Sequence, residues 1–100
     1  MNYKTITPQE VKNKLSQGED LYIIDVREDE EVIHGMIPGA KHIPMGEIPN
    51  RLDEIPKDQE IIFVCRSGGR SGRVCEYLNH FGYSHIINME GGMLEYAQDE

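Results

Sequence analysis

The stretch IIFVCRSGGRSGR, residues 61–73, contains the pattern that decides the fold. Its first five residues are an apolar run without alternation, which is typical of a strand buried on both faces of a parallel sheet. The glycine-rich segment that follows favours a tight turn. Val74, Leu78 and Phe81 then have the spacing of one apolar helix face. The stretch therefore predicts a buried strand, a turn and a helix in direct succession.

The rest of the chain repeats this alternation of strand and helix patterns. The predicted strands are residues 3–5, 21–26, 41–43, 61–65 and 86–88, and the predicted helices are residues 28–34, 45–53, 71–81 and 91–97. A further helix begins at Thr7, with Pro8 in its first turn and Glu10 completing a capping box. This order predicts an α/β fold with a mainly parallel sheet of about five strands and helices on both faces. No linker or repeat divides the sequence, so residues 1–100 are expected to form a single domain.

Composition limits the classes of partner. Eighteen acidic residues against ten basic ones give a net charge of -8, which disfavours nonspecific binding to nucleic acid or to anionic membranes. The apolar runs are too short to span a bilayer, and the N-terminus lacks a signal-peptide pattern. Cys65 and Cys75 do not form a CxxC pair and the four histidines are scattered, so neither a metal nor another cofactor is predicted. We expect a protein of the reducing cytoplasm.

The turn at residues 66–70 has the chemistry of an anion site. Cys65 closes a predicted strand, and ligand sites of parallel sheets form beyond the carboxyl ends of their strands. Gly68 and Gly69 allow the backbone amides to curl around the sulfur, and the helix that we expect to begin just after Arg70, with Ser71 as its cap, points its positive end there. A buried cysteine beside solvated arginines is the structural alternative, but the combination in an acidic chain favours a reactive thiolate.

At these residues the sequence resembles the rhodanese family of sulfurtransferases, specifically its small single-domain members. The strongest element is CRSGGRS at residues 65–71, which is similar to the family's active-site loop. Supporting elements are DVRE at 25–28, GMIPGA at 35–40 and a GG pair at 91–92 that opens the final helix. The sequence departs from the family pattern at Met36, where histidine is frequent, and at Tyr96, where tryptophan is common.

The resemblance implies a thiosulfate sulfurtransferase activity without a cofactor. Cys65 would take the outer sulfur of a small anionic donor such as thiosulfate, carry it as a persulfide and pass it to a thiol or cyanide. The donor could equally be the persulfide of another protein. The persulfide would be held by the backbone amides of residues 66–70, while the Arg66 and Arg70 side chains would attract the donor. The full set of loop residues is Arg66, Ser67, Gly68, Gly69, Arg70 and Ser71.

Two other functions stay open. Cysteine phosphatases and arsenate reductases use similar logic, but their loop is C-x5-R, whereas Cys65 and Arg70 form C-x4-R. The shorter loop favours sulfur over phosphate or arsenate. A noncatalytic rhodanese-like binding module is the third hypothesis, and the retained cysteine and arginines argue against it.

Other reactive residue types are interpreted as structural. Cys75 lies three residues before Leu78 on the apolar arc of the helix, so we expect it in the core and not as a resolving thiol. The resemblance implies that Asp25 and Arg27 tie the strand end to neighbouring loops. The acidic cluster at 27–31 is predicted to be the solvated first turn of a helix.

Overall fold

The centre of the fold is a parallel sheet. The computed structural model describes residues 3–98, with residue 98 described by its backbone alone, and this range contains five strands. They are β1 (Lys4–Ile6), β2 (Ile23–Asp25), β3 (Lys41–His42), β4 (Ile61–Val64) and β5 (Ile86–Met89). Their order in the sheet is β1-β5-β4-β2-β3, and every neighbouring pair is parallel. The predicted α/β fold with a five-stranded parallel sheet is confirmed.

Helices connect the strands. They are α1 (Pro8–Ser16), α2 (Asp29–Val32), α3 (Gly69–Asn79) and α4 (Gly92–Gln98), with 3-10 helices at Met45–Asn50 and Leu52–Glu54. The predicted capping box of α1 is present: Thr7 Oγ1 accepts from the Glu10 amide at 3.1 Å, and the Thr7 amide donates to Glu10 Oε1 at 3.0 Å. None of the helices in residues 3–98 has the length and apolar character needed to cross a membrane.

Both faces of the sheet are buried. In β4, Ile61 and Phe63 belong to an apolar cluster that includes residues of α3, while Ile62 and Val64 belong to a second cluster that includes Val11 of α1. All four β4 side chains are at most 4% exposed. The continuous apolar pattern of β4 thus arises because successive side chains point to opposite faces and each face is covered by helices.

Three local predictions were wrong in detail. The helix α3 begins at Gly69, two residues before its predicted start at residue 71, and its N-cap is Gly68 in the left-handed conformation, φ 101°. Ser71 is therefore not the cap but lies within the first turns. Phe81 lies beyond the end of α3 and is 48% exposed, so the buried stripe ends at Leu78. Residues 45–53 form short 3-10 helices because Pro49 lacks the amide proton that an α-helix requires.

Candidate active site

Cys65 stands at the carboxyl edge of the sheet, immediately after β4. Since β2, β4 and β5 are parallel neighbours, their carboxyl ends meet at this edge, which brings Asp25 and Asn88 close to the loop that follows Cys65. Cys65 is only 1% exposed. The sheet thus places a nearly buried thiol where the ligands of such sheets are bound.

The loop surrounds the sulfur with hydrogen-bond donors. The Gly68 amide donates to Cys65 Sγ at 3.1 Å, and Ser71 Oγ lies 3.3 Å from the same sulfur. Burial raises the pKa of the Cys65 thiol, but hydrogen bonds from the Ser71 hydroxyl and from the amides of Ser71, Gly68 and Ser67 outweigh it, so the pKa is lowered. This environment favours the thiolate.

The start of α4 supports the loop from outside. The Met93 amide donates to the Cys65 carbonyl at 2.9 Å, and the Leu94 amide donates to the Arg66 carbonyl at 3.0 Å. In a trans peptide the C=O and N–H groups point in opposite directions. The two carbonyls that face α4 therefore direct the N–H groups of the same peptides, those of Arg66 and Ser67, away from α4. The contact is close: a Cβ on Gly92 would lie 2.4 Å from the Arg66 carbonyl carbon. Gly92 therefore allows two backbones to meet.

Asn88 is a site residue that the sequence reasoning missed. It lies on β5 and is 7% exposed. Its Oδ1 accepts from Ser71 Oγ at 2.5 Å, and its Nδ2 donates to the Gly68 carbonyl at 3.1 Å. Asn88 thus binds two of the residues that contact the sulfur, Gly68 and Ser71. A single polar residue in the otherwise apolar strand IINM was the available signal, since buried polar side chains need partners.

The two arginines of the loop have different surroundings. Arg70 Nη1 and Nη2 donate to Glu31 Oε1 and Oε2 at 2.7 and 2.8 Å. These hydrogen bonds are the main reason that the pKa of Glu31 is lowered to about 2. The prediction that the acidic cluster at 27–31 is the solvated first turn of a helix was therefore wrong for Glu31, and also for Arg27, which precedes α2 and is 7% exposed. Arg66 is exposed and lines the cavity beside the loop.

Asp25 and Arg27 form a buried pair next to the loop. Arg27 Nε donates to Asp25 Oδ1 and Oδ2 at 3.0 and 3.1 Å, and its Nη2 donates to Oδ2 at 2.8 Å. Arg27 Nη2 also donates to the Gly35 carbonyl at 2.8 Å, and His42 Nε2 donates to the Arg27 carbonyl at 2.7 Å. The pair thereby joins the end of β2 to the segments around Gly35 and His42.

A cavity of about 600 Å³ lies beside the loop, between the segment that contains α2 and the helix α4. Its polar lining includes Arg27, Glu30, Glu31, His34 and Arg66, and its apolar lining is Met93, Leu94 and Ala97. Arg66 directly follows Cys65 in sequence. The cavity is thus amphipathic, and its volume is within the usual range for small-molecule sites.

Cys75 is a core residue of α3. It is fully buried in the cluster between the sheet and α3, which confirms the predicted core position. Burial, and to a smaller extent the charge of Glu76, raises the pKa of its thiol to about 12. Among residues 3–98 there is also no cluster of three or more His, Cys, Asp and Glu side chains that could hold a metal ion.

Known proteins share this architecture. The model of the rhodanese-like domain family matches residues 7–99. A Bacillus subtilis protein named "Putative sulfurtransferase YtwF" is 51% identical over 94% of this chain and 90% of its own length. A protein of Allochromatium vinosum named "Sulfurtransferase" is 40% identical over 93% of this chain and 87% of its own length. The crystal structure of a rhodanese-like domain protein from Staphylococcus aureus has a TM-score of 0.87 at 45% identity, covering 93% of this chain and 90% of that one. This chain belongs to the rhodanese-like domain family, as the sequence predicts.

Proposed function

We propose that this chain is a sulfurtransferase that moves a sulfane sulfur from an anionic donor, such as thiosulfate, to a thiol or cyanide acceptor through a persulfide on Cys65. The observation that supports it most is the sulfur of Cys65 held by the Gly68 amide and the Ser71 hydroxyl within a C-x4-R loop. The names of the two relatives point to the same class of reaction. We also propose that residues 1–100 form one rhodanese-like domain, which the single continuous sheet supports.

The first step is attack on the donor. The Cys65 thiolate attacks the outer sulfur of thiosulfate, a bond forms between the two sulfurs, and the original S–S bond breaks. Its electron pair leaves with sulfite. The lowered pKa of Cys65 increases the fraction of thiolate that can attack. One S–S bond forms as another breaks, so the step needs no oxidant or reductant.

The second step returns the free thiolate. A thiolate or cyanide attacks the outer sulfur of the Cys65 persulfide, and Cys65 leaves with the electron pair of the broken S–S bond. The product is a persulfide or thiocyanate. During both steps the amides of Ser67, Gly68 and Ser71, which donate to the Cys65 sulfur, would stabilise the negative charge that develops there, as in an oxyanion-type site. Arg66 and Arg70 would attract the anionic donor to the loop.

A panel of donors and acceptors tests this function. Thiosulfate with cyanide or a small thiol should give sulfur transfer in the wild type and in Cys75→Ala, and none above background in Cys65→Ala. Cys75→Ala is the matched control because it removes the second buried cysteine. Turnover of an aryl phosphate or arsenate without sulfur transfer would instead indicate a phosphatase or arsenate reductase. An unreactive Cys65 thiol would indicate a noncatalytic module.

A further inference from the structure

The two loop arginines differ in how their charge is compensated. Each terminal nitrogen of the Arg70 guanidinium faces one carboxylate oxygen of Glu31, at 2.7 and 2.8 Å. Such a bidentate pair fixes both side chains in direction as well as in distance. Arg66 has no ion-pair partner within the described range 3–98. A ligand at the loop therefore meets one compensated and one uncompensated arginine.

Of the other charges that residues 3–98 contribute to the cavity lining, Arg27 is compensated and Glu30 is not. Arg27 is held by the buried carboxylate of Asp25, at 2.8 Å. Glu30 is exposed and, like Arg66, makes no ion pair in the part of the chain that the structure describes. His34 is the remaining titratable side chain of the lining. Among the described residues, the lining thus offers one unpaired guanidinium, that of Arg66, and one unpaired carboxylate, that of the exposed Glu30, whose charge solvent screens.

We propose that Glu31 is a positioning residue that sets the charge preference of the donor site: by holding Arg70, it favours singly charged sulfur donors over doubly charged ones. This inference rests on the proposed function, because only a chain that accepts sulfur on Cys65 has a donor to select. An organic persulfide or thiosulfonate carries one negative charge, which Arg66 can compensate. Thiosulfate carries two, and the second finds no free guanidinium among the described lining residues because Glu31 holds Arg70.

The shape of the cavity agrees with a donor that has an organic part. Its volume of about 600 Å³ is far larger than an inorganic ion such as thiosulfate requires. The wall contributed by α4 is apolar, with Met93, Leu94 and Ala97 in the lining. Leu94 is 45% exposed, so a carbon-containing group placed against it would remove apolar surface from water.

Two donors of similar size and different charge separate an effect of donor charge from a general change in activity. Thiosulfate carries two charges and methanethiosulfonate carries one, and both present a terminal sulfur on a sulfonyl group. We would measure kcat/KM for sulfur transfer to cyanide from each donor in the wild type, Glu31→Gln and Glu30→Gln. Glu30→Gln is the matched control, since it removes an equal charge from the same helix without releasing Arg70.

The expected result is a change in the ratio of the two kcat/KM values. In Glu31→Gln we expect about a 10-fold rise for thiosulfate and about a 3-fold rise for methanethiosulfonate, because the Coulomb gain scales with ligand charge. The ratio of thiosulfate to methanethiosulfonate then rises about threefold, and it rises clearly less in Glu30→Gln. The ratio does not depend on the fraction of folded protein, because both donors are assayed on one preparation.

Two outcomes would overturn the inference. One is an unchanged ratio in Glu31→Gln, and the other is an equal rise in Glu30→Gln, which would show that any lost carboxylate near the cavity has the same effect. A wild type that transfers sulfur from neither donor would contradict the proposed function itself and not the charge preference alone. The two failures are therefore distinguishable.

Discussion

Ser71 Oγ on α3 donates a hydrogen bond of 2.5 Å to Asn88 Oδ1 on β5. The same hydroxyl lies 3.3 Å from Cys65 Sγ, but it has one proton and can donate to one acceptor at a time. The thiol of Cys65 can donate to Ser71 Oγ, whereas the thiolate needs the hydroxyl proton to turn towards it. Asn88 therefore competes with the sulfur for the Ser71 proton.

Removal of this hydroxyl should make Cys65 less acidic. In Ser71→Ala the side-chain hydrogen bond that lowers the pKa of Cys65 is lost while burial still raises it, so we expect a higher pKa. The rate of alkylation by iodoacetamide near neutral pH should fall several-fold, and the pH profile of this rate should shift upwards. Ser67→Ala is the control, since the Ser67 side chain is exposed and only its amide contributes. An unshifted profile in Ser71→Ala would contradict the assigned role.

Gly92 should not tolerate a side chain. A Cβ at this position would lie 2.4 Å from the carbonyl carbon of Arg66 and 2.5 Å from the amide nitrogen of Ser67, and its φ of 60° is unfavourable for alanine. Gly92→Ala should therefore reduce the free energy of unfolding by about 3 kcal/mol in urea denaturation. Gly46→Ala, where no atom lies within 4 Å of the added Cβ, should change it by less than about 0.5 kcal/mol. Equal stability of both variants would refute the close contact.

The two cysteines should differ sharply in reactivity. Both side chains are buried, but a pKa raised to about 12 keeps Cys75 as an inert thiol, whereas the pKa of Cys65 is lowered. Native protein treated with iodoacetamide at mildly alkaline pH should carry the label on Cys65, and peptide mapping should find Cys75 unmodified until a denaturant is added. Label on Cys75 at a rate similar to that on Cys65 would show that the core position is not protective.

The ion pair of Glu31 and Arg70 should stabilise the fold at neutral pH and fail in acid. The pKa of Glu31 is lowered from 4.5 to about 2, so the folded state favours the carboxylate and its contribution is complete above pH 4.5. This contribution is lost as the pH falls towards about 2. The free energy of unfolding should exceed that of Glu31→Gln by about 1 kcal/mol near pH 6, since the pair is partly exposed, and the difference should vanish near pH 2.

Glu30→Gln serves as the control for this pH dependence. Glu30 lies on the same helix, so its replacement changes the net charge equally without removing the bidentate contact. Its stability should follow that of the wild type through the same pH range. A pH-independent difference between Glu31→Gln and the wild type would contradict the depressed pKa of Glu31.

The fold class and the position of the loop could be predicted because their signals are local. The unbroken apolar run of β4 indicates a strand covered on both faces, and the glycines after Cys65 indicate a turn at its carboxyl end. The start of α3 was misplaced because the cap is Gly68 in a left-handed conformation, whereas serine is the more frequent signal of a cap.

The contacts that tune the site could not be predicted because they are long-range. Glu31 and Arg70 are separated by 39 positions, and Ser71 and Asn88 by 17. Only the packing of α2, α3 and β5 around one edge of the sheet brings these side chains together. The sequence around Glu31 and around Asn88 contains no pattern that predicts Arg70 and Ser71 as their partners.

The central claim is that Cys65 carries the transferred sulfur. Its most direct test is mass spectrometry of the intact protein and of its peptides after incubation with thiosulfate or methanethiosulfonate and removal of the donor. We expect one added sulfur, about 32 Da, on the peptide that contains Cys65, and its loss on addition of cyanide. The absence of this added mass with both donors, or its retention in Cys65→Ala, would contradict the account.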